Sequence, residues 1–451
     1  MYLCRVARLL EVSPMRVSLT KVAVVASMAL LVASCAMPAD DPNFNASAAV
    51  GAGSEAASEA ASQAAAEAAT LDLALEAPTS IGVDKPLAST PEKGATIISL
   101  SDGTAYDGVF QASLAEAADV LGWTVETVSA DMADPAAAAT AFDEAVAKKP
   151  AGIHISGAFA DAVSASIPNA KSANIPVICT GCSTDVIADL ADTTIDGTEQ
   201  NTFWGDALAT YVLTSQYEGE DAGVQIFTVP GGAVNDFNTA FEAKVASSCR
   251  NCSTSQSVTD PMMVDLTDPA SISSFIVGEM TISLGAWAML DSGALSEGVA
   301  DTLATDPTLL MPVVVIGRGA AASDIAGLQA LAGTAPAATE PSASATAAAT
   351  EAATEAAATD GATEGAAEMS GRTMEEAQAL QAWIAISQPV MAWRVIDQFA
   401  RIIGGDEPAV GPLPSQLLTT SNASEAVLDD AGNYVGIADY QEQFKTLWGV
   451  K

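Results

Sequence analysis

From Gly94 to Gly181 the apolar positions switch repeatedly between a run or alternation and a helical spacing. Ala95–Leu100 reads as a buried strand, followed by a loop carrying Asp102, Tyr106 and Asp107. Phe110, Leu114, Ala117, Ala118 and Leu121 then recur on one face of a helix, which Gly122 closes. Trp123–Val128 alternates as a second strand. Asp134-Pro135 caps a second helix that runs through Phe142 and Val146 to Lys148-Lys149. Gly152–Ser156 predicts a third strand, Ala162–Ala173 a third helix and Ile175–Cys179 a fourth strand. Strands and helices alternating at this spacing predict a parallel sheet with helices on both faces. Such sheets bind ligands at the carboxyl ends of their strands. Three loops leave those ends here: Ser101–Asp107, Gly157–Asp161 and Thr180–Asp185.

A second run of the same kind begins after Thr193-Thr194-Ile195-Asp196-Gly197. It predicts a helix over Glu199–Gln216, a strand over Val224–Val229 ended by Pro230-Gly231-Gly232, and a helix over Asn238–Ala246. Ser273–Val277 and Pro312–Ile316 read as strands, with a helix near Ile282–Leu290 between them. Gly317-Arg318-Gly319 turns towards a helix over Ser323–Leu331. Trp383–Ile386 is a strand entering Gln388-Pro389. Met391, Trp393, Val395, Ile396, Phe399, Ile402 and Ile403 then mark a strongly amphipathic helix.

Two stretches interrupt this pattern. Ala36 to about Lys85 and Gly333 to about Ser370 are rich in alanine, glutamate, serine and threonine and have few large apolar residues. The first is expected to be a disordered spacer and the second a low-complexity insertion that loops out of a folded lobe, at a closure cost that grows only slowly with length. Of the 451 residues, 49% are hydrophobic but 5% aromatic, because alanine supplies much of the apolar count. The net charge of −39 argues against nucleic acid or an anionic membrane surface as partner, both of which need a basic patch. Fourteen of the 56 acidic residues sit in the two low-complexity stretches, where they keep the chain solvated.

The amino terminus indicates the compartment. Arg16 and Lys21 precede an apolar run, Val22–Val32, which ends in small residues and Cys35 and is short for a membrane-spanning helix. Val32-Ala33-Ser34-Cys35 resembles the lipobox of bacterial lipoproteins, cut before a cysteine that is then lipidated. The resemblance implies a signal peptide over 1–35 and a mature chain anchored by Cys35 to the outer face of the cytoplasmic membrane. Met15 is an alternative start to Met1. In that compartment the local pairs Cys179/Cys182 and Cys249/Cys252 are expected as disulfides. Four cysteines on one zinc, or a redox motif, is the competing reading, disfavoured because the pairs fall in separate lobes.

The stretch LGWTVETVSADMADP…KPAGIHISG…AKSANIPVICTG resembles the first lobe of type 1 periplasmic binding proteins, the sugar-type solute receptors of ABC importers. The resemblance extends more weakly from about Gly94 to Lys451, with Gln416–Thr420 and Tyr440–Trp448 resembling the last hinge strand and closing helix. It implies an α/β fold of two doubly wound parallel-sheet lobes joined by a three-strand hinge. The first lobe is expected over 86–196, completed by about 389–412. The second is expected over 197–388, completed by about 413–451 and carrying the insertion 333–370. It also implies a monomeric, non-enzymatic receptor without cofactor that passes a small polar ligand to an ABC permease. A signalling receptor on the same fold is the alternative.

Carried onto this chain, the resemblance makes Tyr106 an aromatic that stacks on a sugar face and Ser156 and Gln388 polar contacts. Glu279, Asn235 and Phe237 fall near family positions on the facing lobe, and Asp102 and Asp107 flank Tyr106. Two departures open the ligand class. Gly181-Cys182 stands where sugar-binding members often carry Asp-Arg, and Gly317-Arg318-Gly319 stands where they often carry an aspartate. Arg318, if directed into the cleft, would favour a carboxylate or phosphate. His154, the single histidine, lies in a buried-looking strand and is expected as a packed core residue, since no serine stands at catalytic spacing from it. A DNA-binding regulator is excluded by the charge, the missing headpiece and the export signal.

Overall fold

The computed structural model describes residues 62, 65–183, 190, 193–215, 222–229, 234–282, 285–306, 308–309, 311–332, 373–409 and 411–451. The expected signal peptide with Cys35, most of the first spacer, the Pro230-Gly231-Gly232 turn, the insertion 333–370 and Asp185 lie outside them. By contact the chain divides at Ala69/Thr70, and Thr70–Lys451 forms one unit that holds both sheets.

After a helix α1 (65–75), the first sheet is built by β1 (Thr96–Ser101), α2 (Ala105–Val120), β2 (Thr124–Ser129), α3 (Pro135–Ala147) and β3 (Gly152–Ser156). Short helices α4 (Ala160–Val163) and α5 (Ile167–Ser172) precede β4 (Val177–Thr180) and β5 (Thr194–Ile195). The order is β2-β1-β3-β4-β5, all parallel. Consecutive residues serve opposite faces, as the period of a strand demands. Ile97 joins the core of Phe110, Leu114 and Trp393, whereas Ile98 joins Phe142, Ile153 and Ile155. The single helix expected over Ala162–Ala173 is divided, because Pro168 lacks the amide hydrogen that would continue the ladder and stands in the first turn of α5.

The second sheet contains β6 (Gly223–Thr228), β7 (Ser253–Val258), β8 (Trp287–Leu290), β9 (Val314–Arg318), β10 (Ala382–Ile386) and β11 (Ser415–Thr419) in the order β11-β10-β9-β8-β6-β7. Helices α6 (Thr198–Thr214), α7 (Val234–Ser248), α8 (Pro269–Ile282), α9 (Val299–Thr305), α10 (Ala322–Ala332) and α11 (Met374–Ala379) accompany it. The second sheet is mixed, with β11 antiparallel to β10 at its edge and its other strands parallel, in keeping with the two doubly wound lobes expected. The strand expected over Ser273–Val277 lies inside α8, where Ile272, Ser273, Ile276 and Met280 share the buried face. The helix expected over Ile282–Leu290 ends in β8, buried at every position. Short apolar runs do not distinguish a buried strand from a buried helix. The polar edge strand β7 carried no apolar signal at all.

The chain passes between the sheets at Asp196-Gly197, at Ser387 and between Gly404 and Ser415. The second passage begins α12 (Gln388–Gly404), which packs on α2, β4 and β5 of the first lobe. The third returns to β11. The terminal helix α13 (Tyr440–Trp448), expected with the second lobe, packs instead on α12. Trp448 stacks on Trp393 at 5.3 Å, and its indole N–H donates to Asp397 at 2.9 Å.

The spacer expected to run to Lys85 ends earlier. Ala74, Ile81 and Val83 are buried, and the segment is fixed by its own carbonyls. Gln416 donates to the Leu75 carbonyl at 2.9 Å, Arg394 to Ile81 at 3.1 Å and Arg401 to Lys85 at 2.6 Å. Gly82, at φ +76°, passes so close to Pro412 that a Cβ would run into its carbonyl. This strap therefore touches β11 of one lobe and α12 of the other.

Candidate functional site

The carboxyl ends of β1, β3, β4 and β5 face those of β6, β8, β9 and β10 across a cavity of about 130 Å³. Its wall includes Asp102, Tyr106, Asp107, Ser156, Arg318 and Gln388, so six of the nine sequence-predicted ligand residues come together. The other three do not. Asn235 is exposed in the first turn of α7, and Phe237 is fully buried against α6 in the core of the second lobe. Glu279 is in the body of α8, where it accepts from the Ser257 hydroxyl at 2.7 Å. It borders a larger open groove of about 420 Å³ with Gln225 and Ser255, at the starts of the strands rather than their ends. The misplacement follows from reading α8 as a strand.

Tyr106 sits in the first turn of α2, whose N-cap Thr104 accepts from the Asp107 amide. Its ring crosses to the other lobe. A Cβ on Gly293 would stand 2.5 Å from the ring, and one on Gly319 would stand 2.9 Å from the hydroxyl, so the slot exists because both residues are glycine. Gln388, the first residue of α12, donates through Nε2 to the Tyr106 hydroxyl at 2.7 Å. Burial pushes the phenol up to about 12 despite the opposing field of Arg318, so it is neutral.

Two carboxylates flank Tyr106. Asp102 accepts through Oδ1 from the Thr104 amide and hydroxyl at 2.9 and 2.8 Å. Asp107 accepts from the Ser101 hydroxyl and, at 3.1 Å, from Gln111. Burial raises both, and Asp102 adds to the shift that brings Asp107 up to about 6. His154 bonds Ser99 through Nδ1 at 2.9 Å and Thr180 through Nε2 at 3.1 Å, while Phe110 covers its ring at 4.7 Å. Burial lowers it to about 3, so the wall presents a neutral imidazole.

Arg318 ends β9 and is only 8% exposed. The sequence left it either aimed at an anionic ligand or paired at the surface, and it does neither. Its Nη2 donates to Asp196, which stands at φ +56° at the end of β5 in the opposite lobe. Burial raises Asp196, and Arg318 and Asn201 oppose that shift. The pair bridges the lobes and cancels the charge that would have drawn an anion. Asp196 was not singled out from the sequence as a site residue, since nothing local distinguishes it from a turn aspartate. The Ser156 hydroxyl and Arg318 Nε are enclosed without a hydrogen-bond partner among the described residues.

Each C-x-x-C pair has its sulfurs at bonding distance, with Cα–Cα separations of 5.8 Å for Cys179–Cys182 and 5.3 Å for Cys249–Cys252. Cys179 and Cys182 flank Thr180 and Gly181 of the cavity wall. Among the described residues no group of three or more His, Cys, Asp or Glu is arranged to hold a metal ion, and no helix is long and apolar enough to cross a membrane.

No protein-family model matches the chain, and no curated protein does. Solved structures do. An ABC transporter solute-binding protein from Agrobacterium vitis, bound with α-D-tagatopyranose, superposes with a TM-score of 0.53 at 14% identity, over 76% of this chain and 100% of its own. A carbohydrate transporter solute-binding protein from Agrobacterium radiobacter, in complex with D-arabinose, gives 0.51 at 16% identity over 74% and 96%. A periplasmic component of a sugar transport system from Hahella chejuensis gives 0.52 at 13% identity over 72% and 99%. With its two sheets and the cavity between their strand ends, the chain has the type 1 periplasmic-binding-protein fold.

Proposed function

We propose that this protein is an extracytoplasmic solute receptor that captures a small polar ligand, sugar or sugar-like, between its lobes and delivers it to an ABC permease. The supporting observation is the cavity between the strand ends, whose wall combines an aromatic ring, apolar side chains and a few convergent polar groups drawn from both lobes. A ligand that touches both walls favours the closed arrangement, because it makes its full set of contacts only there. The structural neighbours with tagatose and arabinose make a monosaccharide the first ligand class to examine. Cys35, through the lipobox resemblance, would tether the receptor next to its permease.

Thermal unfolding against a panel of neutral sugars, aminated sugars, sugar acids and polyols tests the reading. A ligand at a hundredfold excess over its dissociation constant stabilises by about 2.7 kcal/mol, which is a clear shift in Tm. The expected result is a hit that weakens in Gln388→Ala. A panel without any hit contradicts the reading.

A further inference from the structure

The charges of the cavity wall do not balance. Facing it are Asp102 from the β1–α2 turn, Tyr106 and Asp107 from the first turn of α2, Asp196 just after β5, Arg318 from β9 and His154 from β3. His154 and Tyr106 are neutral, held so by burial. Among the described residues Arg318 is the one cation in the wall, and its Nη2 donates to Asp196. The carboxylates of Asp102 and Asp107 therefore face the cavity with neutral hydrogen-bond donors and no cation among the described residues.

From this arrangement we infer that the ligand is an amine-bearing polyhydroxylated molecule, such as an amino sugar, whose ammonium group lies against Asp102 and Asp107. The hydroxyls of such a ligand fit the remaining polar wall, in which Ser156 and Gln388 stand. An ammonium supplies three donors and a positive charge to the acidic end. A sugar acid would instead bring a second negative charge to a wall already in excess of it. A neutral sugar would satisfy the hydrogen bonds while leaving both buried carboxylates without a counter-charge.

The inference rests on the receptor reading and is tested separately from it. Calorimetric titrations at pH 7.5, with EDTA so that no metal ion supplies the charge, compare matched pairs: glucosamine with glucose, galactosamine with galactose, and each amine with its N-acetyl form. The amine of at least one pair is expected to bind at least tenfold more tightly than its neutral parent and its N-acetyl form. Asp107→Asn, which keeps the side-chain shape, should reduce that preference to less than threefold. In the unmutated protein the preference should fall as the pH drops below about 6, where Asp107 takes up a proton. Neutral parents that bind as tightly as the amines overturn the inference and leave the receptor reading standing. Binding by neither class overturns both.

Discussion

Tyr106 reaches the opposite lobe because two residues there have no side chain. Gly293 is not among the glycines at positive φ, so its requirement is space, and Gly293→Ala places a methyl group against both the Tyr106 ring and the Gly319 carbonyl. Overpacking of this kind costs about 1–3 kcal/mol. Ligand affinity should fall about 5- to 150-fold, as read by titration calorimetry. Unchanged affinity would mean that neither Tyr106 nor Gly319 stays this close to Gly293 when ligand is bound. Tyr106 and Gln388 came from the family resemblance, and the structure brings both to the cavity wall. Gly293 was not legible in the sequence, since its role depends on a ring 187 positions away in the chain. The Asp196–Arg318 pair, also set by long-range packing, was hidden for the same reason.

Among the elements, α12 has the largest share in holding the cleft. It supplies Gln388 to the cavity, is capped by Ser387 and Gly405, and carries Asp397 and Arg401 one turn apart, both fully buried. Arg401 donates to Asp397 at 2.7 Å, and Trp448 of α13 donates to the same carboxylate. Removing one member of a buried pair leaves the other charge uncompensated, at about 3–5 kcal/mol. Asp397→Ala should therefore lower the stability to denaturant by about that amount, whereas a loss under about 1 kcal/mol would show that the pair is dispensable. The helix itself was plain from its apolar spacing. The reversals over Ser273–Leu290 were not avoidable from pattern, because both elements are apolar and flanked by core. The strap before Lys85 was obscured by its neighbour: the alanine-rich tract runs directly into Leu71, Ile81 and Val83, and only the packing shows where docking begins.

Across the whole molecule, acidity governs the response to pH. Burial raises Asp107 and Asp291 to about 6 and Asp324 to about 7, above the ordinary carboxylate value of 3.8. A carboxyl whose folded value is raised binds its proton more readily in the folded state. Its stabilising contribution is full below the unfolded value and is lost as pH rises through the folded one. Between about pH 7 and pH 4.5 the protein should become more stable as pH falls, and relief of the repulsion from a net charge of −39 acts in the same direction. Thermal melts at pH 5 and pH 8 check the sign, and a higher Tm at pH 8 would contradict it.

The proposed ligand site is the cavity between the lobes and not the wider groove beside Glu279. Titration of the tightest ligand from the panel into the unmutated protein, Gln388→Ala and Glu279→Ala separates the two sites. Binding should weaken about 5- to 30-fold in Gln388→Ala and stay within about twofold in Glu279→Ala, since the lost hydrogen bonds are worth about 1–2 kcal/mol only where the ligand sits. Loss of binding in Glu279→Ala with Gln388→Ala unaffected would put the ligand outside the cleft and contradict the receptor mechanism.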